Sequence, residues 1–371
     1  MLTVLVLLPT AALFLRVLEE NSNQRDDIKL EQQGVEYLTA LSPLISALAE
    51  SQSSALQGVA AEPASLTAAV SRVQGVDERL GDTLGTKQRW SDLAAKIAKL
   101  PKVTGDSNTI FTEHVEVADL TLALYEAVRQ SSGLNRDPDA DIWFLQQTAA
   151  VEMPETVTMV SQMGDLANML AAAKKSQQAA LRIKFGTAVQ LVTESVNELT
   201  DNLQEAVDDT SSSTLSGNLV SNLDSFRRGV EAANRGANPG GNPDVSTLVT
   251  AQSTLQTALN ALSGVTLKEI SGLLDDRSDT LTYRQFEAYA LFGVAVILVF
   301  LATVWSRGRG RQTGGPGATS NDPSREVSVQ ADRAAAQPSG GGTYGQPSSA
   351  YGDIPNYGDG ANGRERSGAL R

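Results

Sequence analysis

The chain has 371 residues, enough for a sizeable core, with no cysteine, one histidine and a net charge of −13. Without cysteine there are no disulfides, thiol nucleophiles or sulfur-ligated metals, so any fold outside the cytoplasm is held by packing alone. An acidic balance argues against nucleic acid as a partner.

An apolar stretch opens the chain, Leu2 to Leu15, interrupted only by Thr3, Pro9 and Thr10. No basic residue precedes it, and Arg16-Val17-Leu18-Glu19-Glu20 is a poor cleavage site, so it reads as an uncleaved anchor over residues 1–18. A basic lead is expected ahead of it. From there to about residue 286 the pattern is helical. Leu30, Tyr37, Leu41, Leu44 and Leu48 fall on one stripe of a 3.6-residue period. Leu181, Phe185, Ala188, Val192, Val196, Leu199 and Leu203 form another, and Leu248, Leu255, Leu259, Leu262, Ile270 and Leu273 a third.

Proline, glycine and serine clusters divide this region into helices at 19–60, 64–80, 86–100, 107–132, 138–172, 175–209, 217–235 and 245–306. Pro43 and Pro154 fall inside two of them and predict kinks, because proline lacks the backbone donor and crowds the preceding turn. The expected fold class is all-α, a long antiparallel helical bundle or two stacked four-helix bundles between two membrane helices. Domain bounds follow as 1–18, 19–286, 287–305 and 306–371.

The last helix runs into an apolar segment from Ala288 to Trp305, followed at once by Arg307, Arg309 and Arg311. At about 1.5 Å per residue its length matches a bilayer core, and the arginines place its far end in the cytoplasm. The expected location is the cell membrane, inner or plasma, with two passes and both termini cytoplasmic. After Trp305 the charge is +2, leaving −15 on the remainder. That tail is rich in Gly, Ser, Pro and Arg with almost nothing to bury, so disorder is expected. Tyr344, Tyr351 and Tyr357 suggest either a solvated tail or a docking segment for a cytoplasmic partner.

Catalytic signatures are missing. His114 has no recognisable nucleophile and acid beside it, and no phosphate-binding glycine loop or paired zinc ligands occur, so no enzyme, cofactor or metal is expected. The segment Asn135-Arg136-Asp137-Pro138-Asp139-Ala140-Asp141-Ile142-Trp143-Phe144-Leu145 carries the most chemistry. Its alternating carboxylates resemble the start of a calcium loop but lack that loop's glycine and closing glutamate. The conservative reading makes Asp137 a helix N-cap, Pro138 the first helical residue, and Asp139 and Asp141 partners of the helix dipole. The sharper one makes Asn135, Arg136, Asp137, Asp141 and Trp143 part of a ligand pocket, with Arg136 pairing an anionic group.

This segment, with Met153-Pro154-Glu155 after it, resembles a stretch in periplasmic helical sensor modules of methyl-accepting chemotaxis proteins and membrane sensor kinases. The run Glu31-Gln32-Gln33-Gly34-Val35-Glu36-Tyr37-Leu38 is similar to the first external helix of those receptors. The resemblance implies a dimeric sensing bundle that takes a small organic anion or a protein ligand outside and passes a helix displacement through the bilayer. It departs from the family in two places. The turn reads Met-Pro rather than Leu-Pro, and Ser306-Arg307-Gly308-Arg309-Gly310 stands where a HAMP helix pair would begin. The expected function is a membrane receptor acting through a separate partner. The alternatives are a non-sensing structural envelope protein, or a receptor fragment lacking its output half.

Overall fold

The computed structural model describes residues 2–59, 63–210, 212, 215–238 and 242–309, and among these every regular element is helical. The helices are α1 (Leu2–Leu56), α2 (Ala64–Leu80), α3 (Lys87–Ile97), α4 (Ser107–Ser132), α5 (Ala140–Gln147), α6 (Met153–Ala172), α7 (Lys175–Asp209), α8 (Leu215–Ala237) and α9 (Val245–Arg309). A single 3-10 turn, Leu100–Lys102, follows α3. The tail from 310 onward, with its expected disorder and three tyrosines, lies outside the described residues.

Successive helices alternate in direction, α5 and α6 counting as one rod. Ser65 donates to Glu50 at 2.7 Å and Arg79 to Glu36 at 2.6 Å, which sets α2 antiparallel to α1. Trp90 Nε1 donates to Gln74 at 2.7 Å between α3 and α2, and Lys96 pairs with Glu116 between α3 and α4. Then α5 and α6 climb beside α1, with Gln146 at Glu31 and Asp165 at Gln52. The return along α7 is marked by Thr156–Ser195 and Glu152–Asn202 contacts. On α9, Asp275 accepts from Gln32 and Ser263 shares a bond with Ser42.

The result is one long bundle, and the alternative of two stacked four-helix bundles is set aside. The second half of the chain lies beside the first along the same length. Lys184 of α7 reaches Asn108 at the start of α4, while Arg277 of α9 meets the loop after the end of α4. The reason is visible in the pattern: the inward stripes of α1 and α9 run the whole length of both helices outside their apolar segments, so neither has a bare half on which to seat a second bundle.

Each stripe faces inward. Tyr37, Leu41, Leu44, Leu199, Leu203, Leu255, Leu259 and Leu262 are wholly buried. Close approach uses glycine where the helices touch: a Cβ on Gly34 would stand 2.4 Å from Ser132 Cβ, so α1 and α4 meet almost backbone to backbone there. This contact brings the end of α4 onto α1 one turn above Glu31.

Two prolines behave differently. Helix α1 passes through Pro43 unbroken. Before Pro154 the chain forms a π turn, Thr148–Glu152, that joins α5 to α6 and is closed by the Met153 N–H on the Thr148 carbonyl. A regular turn would press the proline ring on the Ala150 carbonyl, and the wider turn relieves that clash. Helix and turn together form one rod from Ala140 to Ala172, close to the expected 138–172.

At the other end, α9 contains the one described helix segment long and apolar enough to cross a membrane, Val245–Trp305, with mean hydropathy 2.3 in its most apolar window. Its side chains from Leu291 to Trp305 are largely exposed. The apolar start of α1 lies against it, with Phe14 stacked on Phe292 at 4.2 Å and edge-on to Tyr289 at 5.5 Å.

Candidate functional site

Helix α4 ends at Gly133, whose left-handed backbone (φ 80°) turns the chain back toward α1, and Leu134 buries to anchor the turn. The Arg136 N–H closes the turn on the Gly133 carbonyl at 2.9 Å. Asp137 then enters the interior. Its side chain is wholly buried, and its Oδ1 accepts the Asp139 N–H at 2.8 Å.

Helix α5 starts at Ala140, so the N-cap position belongs to Asp139, and Asp137 and Pro138 precede the helix. The expected N-cap role of Asp137 is therefore corrected. Arg277 of α9 supplies the reason, since it takes that carboxylate for a stronger interaction than one helix N–H can provide. The guanidinium grips Asp137 through both arms, Nη1 to Oδ2 at 3.1 Å and Nη2 to Oδ1 at 2.5 Å. It also holds Asp139, with Nε at 3.1 Å from Oδ2 and Nη2 in contact with the same oxygen. A planar fork of donors suits this two-carboxylate clamp and an ammonium would not.

Beside the clamp lies Glu31 of α1, also buried. Gln146 Nε2 bridges the two acids, 3.3 Å from Glu31 Oε2 and 3.4 Å from Asp137 Oδ2. Burial first, and then the neighbouring Asp137 charge, push the Glu31 carboxyl up to about 8, only partly offset by Arg277 and Gln146. Burial would lower the Arg277 value, but the hydrogen bonds and charges of Asp137 and Asp139 outweigh it and keep the guanidinium charged. The Gln146 Oε1 and Asn135 Oδ1 atoms are buried without a partner.

In front of the clamp is an open groove of about 1130 Å³ between α1, the turn before α5, and α9. Six carboxylates line it (Asp27, Glu31, Asp139, Asp141, Asp209 and Asp276) against three arginines, Arg136, Arg277 and Arg284. Arg277 is committed to the clamp, whereas Arg136 and Arg284 are exposed and make no ion pair among the described residues.

Of the five residues singled out by sequence, Arg136 and Asp141 line the groove. Asp141 also accepts the Thr210 hydroxyl at 3.0 Å, which ties the start of α5 to the end of α7. Asp137 forms the clamp behind, and Asn135 is half-buried in the turn before it. Trp143 is not among the lining residues and is half-buried edge-on to Phe144 at 5.1 Å. The residues that sequence reading passed over are Glu31, Gln146, Arg277 and Arg284. Glu31 carried a signal, since it falls on the Ile28–Val35–Leu38 stripe where an apolar residue belongs.

Elsewhere the interior holds further polar groups, each tied to a neighbouring helix. Asp77 accepts from Tyr37 at 2.8 Å and Thr86 at 2.6 Å. Asp165 accepts from Gln52 at 3.0 Å and Ser53 at 2.7 Å, with its carboxyl raised to about 7 by burial. His114 is buried with Nδ1 at the Ile110 carbonyl, as a packing residue would be. Among the described residues no group of acids and histidines is placed to hold a metal ion. Comparison of the chain with family models, curated proteins and solved structures finds no match.

Proposed function

We infer that this is a two-pass membrane receptor whose external bundle takes a small solute in the groove beside the Arg277 clamp and signals through a separate partner. The observation that carries this reading is the position of Arg277. It lies on α9, the helix that continues into the apolar span, and it is clamped to a turn that forms the groove wall. A solute that seats against Arg136 and Asp139 competes for that clamp. Its binding energy therefore acts directly on the helix that leaves the bundle for the bilayer.

The charge of the groove narrows the ligand class. Even with Glu31 held protonated, the five aspartates outnumber the three arginines, so a simple organic anion would meet net repulsion. A solute with an ammonium group beside a carboxylate satisfies both signs, the carboxylate on Arg136 and the ammonium among Asp27, Asp276 and Asp209. The two-pass reading is supported by Phe14, which sets the apolar start of α1 against Phe292 and Tyr289 of the α9 span; external residues 19–286 then lie between the passes, and the cytoplasmic tail is free for docking. Pairing of two copies along α1 and α9 would give the signal a second subunit to act on.

A structural, non-sensing envelope protein is favoured by one observation, that the clamp already satisfies its own charges. A thermal-shift screen of the full chain in micelles against amino acids, diamines and organic acids separates the two. Ligand at a hundred times its dissociation constant adds about 2.7 kcal/mol, roughly 5 °C for a protein of this size. Arg136→Gln should abolish that shift while leaving the unliganded melting point in place. A flat screen over a cooperatively melting protein would favour the structural reading.

A further inference from the structure

A second cleft lies below the groove, where the bundle meets the apolar segments. It measures about 450 Å³ and sits between α1 and α9. Arg16 forms one side and Arg284 the other, with Leu18, Leu281 and Ala288 among the apolar walls. Arg16 is the first residue after the apolar opening of α1, and Arg284 precedes the Ala288–Trp305 segment by four residues. The Phe14–Phe292 stack holds the two helices side by side just beneath.

Both guanidinium groups are available. Each has acids within one turn on its own helix, Glu19 and Glu20 for Arg16 and Glu287 for Arg284, yet neither forms an ion pair or hydrogen bond among the described residues. Glu20, the one carboxylate in the cleft wall, accepts instead from Gln24 at 3.0 Å. Around the mouth the surface is apolar: Leu13, Leu15, Val17, Tyr283 and Phe286 are all more than half exposed. Two unpaired arginines converging over an apolar floor at the edge of a hydrocarbon layer fit one chemistry, a phosphate that carries acyl chains.

We propose that this cleft binds the head of an anionic membrane phospholipid, its phosphate held between Arg16 and Arg284 and its chains lying on the exposed α1 and α9 surface below. The two arginines bring two positive charges to an otherwise acidic chain, and a lipid of net negative charge balances them better than one whose choline supplies its own cation. The lipid would bridge the two helices at the level where α9 leaves the bundle. The site rests on the two-span reading above.

The test uses the full chain in vesicles of phosphatidylglycerol or phosphatidylcholine, extracted gently and weighed by native mass spectrometry. Wild type should retain phosphatidylglycerol about tenfold better than phosphatidylcholine. The double variant Arg16→Gln with Arg284→Gln should lose that preference, and Arg79→Gln, in a surface pair with Glu36 far along α1, should keep it. Equal retention of both lipids, or retention untouched by the double variant, would overturn the site while leaving two-pass insertion standing. Displacement of the bound lipid by millimolar inorganic phosphate would identify a soluble-anion site and overturn the lipid assignment. Failure of the chain to resist carbonate extraction from the vesicles would refute the two-span reading, and the lipid site with it.

Discussion

Removing Arg277 gives the sharpest test of the clamp. Arg277→Met keeps most of the side-chain volume but withdraws the guanidinium from Asp137, whose side chain has no solvent contact and keeps only the Asp139 N–H and the Gln146 amide as donors. Breaking a buried ion pair by deleting one partner costs about 3–5 kcal/mol, because the other charge stays buried and uncompensated. The contact with Asp139 adds little, about 0–1 kcal/mol, since that carboxylate is 58% exposed. Arg277 keeps 19% of its own exposure, which favours the lower end, so the expected loss is about 3 kcal/mol. For a protein of this size that corresponds to a fall in melting temperature of roughly 6 °C, measurable by circular dichroism in micelles. Adding Asp137→Asn should recover most of the loss, because the neutral amide no longer needs a cation. Arg277→Lys should recover only part, since an ammonium cannot span two carboxylates with a planar fork. A loss below about 1 kcal/mol, or no recovery in the double variant, would refute the buried clamp as the link between α9 and the α5 turn.

Three further outcomes follow from the interior. Burial raises the Asp165 carboxyl from 3.8 to about 7, and burial likewise raises Glu152 to about 7 and, with the Asp137 charge, Glu31 to about 8. The native state therefore holds these protons more tightly than the unfolded chain, so their contribution to stability is full below about pH 4 and is lost as pH rises through 7 to 8. Asp165→Asn should be near neutral at pH 4 and more stable than wild type at pH 8, by at most about 4 kcal/mol. Urea unfolding at the two pH values checks this, and an equal effect at both would rule it out. Gly34→Ala should destabilise by about 1–3 kcal/mol in the same assay, because its Cβ would stand 2.4 Å from Ser132 Cβ, which cannot rotate away as Ser132 Oγ and Leu134 Cδ1 can. Tyr37→Phe should cost about 1–3 kcal/mol, since it leaves buried Asp77 with the Thr86 hydroxyl as its remaining donor; a neutral result would mean that water replaces the phenol.

Most of the helical framework was legible in the residues because the stripes are long and the breaks chemically plain. Helices α2, α4 and α7 begin and end where the pattern placed them, and Asp106 and Gly133 mark the two ends of α4 by known cap chemistry. The site was legible only on its local side. Asp137 advertised itself as a cap because sequence shows the helix after it, whereas its true partner stands 140 residues away. Trp143 drew attention as an aromatic beside acids, yet Ile142, Leu145, Gln146 and Ala149 form the buried face and position 143 falls to one side of it. Glu31 was the missed clue: a charged residue on an apolar stripe needs a partner inside, and following that need leads to Gln146, Asp137 and Arg277.

If the protein is the receptor proposed above, the same cross-helix pairs bear on how its signal would travel. Along α1 and α9, Gln32 meets Asp275, Ser42 meets Ser263, Ser46 meets Asn260, and Ser53 meets Gln252, all in one antiparallel register that Phe14 and Phe292 continue into the apolar segments. A slip of one residue, about 1.5 Å along the axis, would misalign every pair at once. Sliding α9 past α1 is therefore penalised over the whole length, and a tilt or rotation of α9 near the clamp disturbs far fewer contacts. The register can be read directly because the chain has no cysteine of its own. Ser42→Cys with Ser263→Cys, whose native hydroxyls are 2.9 Å apart, should form a disulfide rapidly on mild oxidation in membranes. Ser42→Cys with Ile270→Cys, displaced by about 10 Å along α9, should not. Comparable cross-linking of both pairs would mean that α9 slides freely, and a piston motion would then replace the tilt. If the first pair alone cross-links and a bound solute still alters the accessibility of a cysteine placed at the exposed Glu287, the movement is confined to the end where the groove meets the apolar segment.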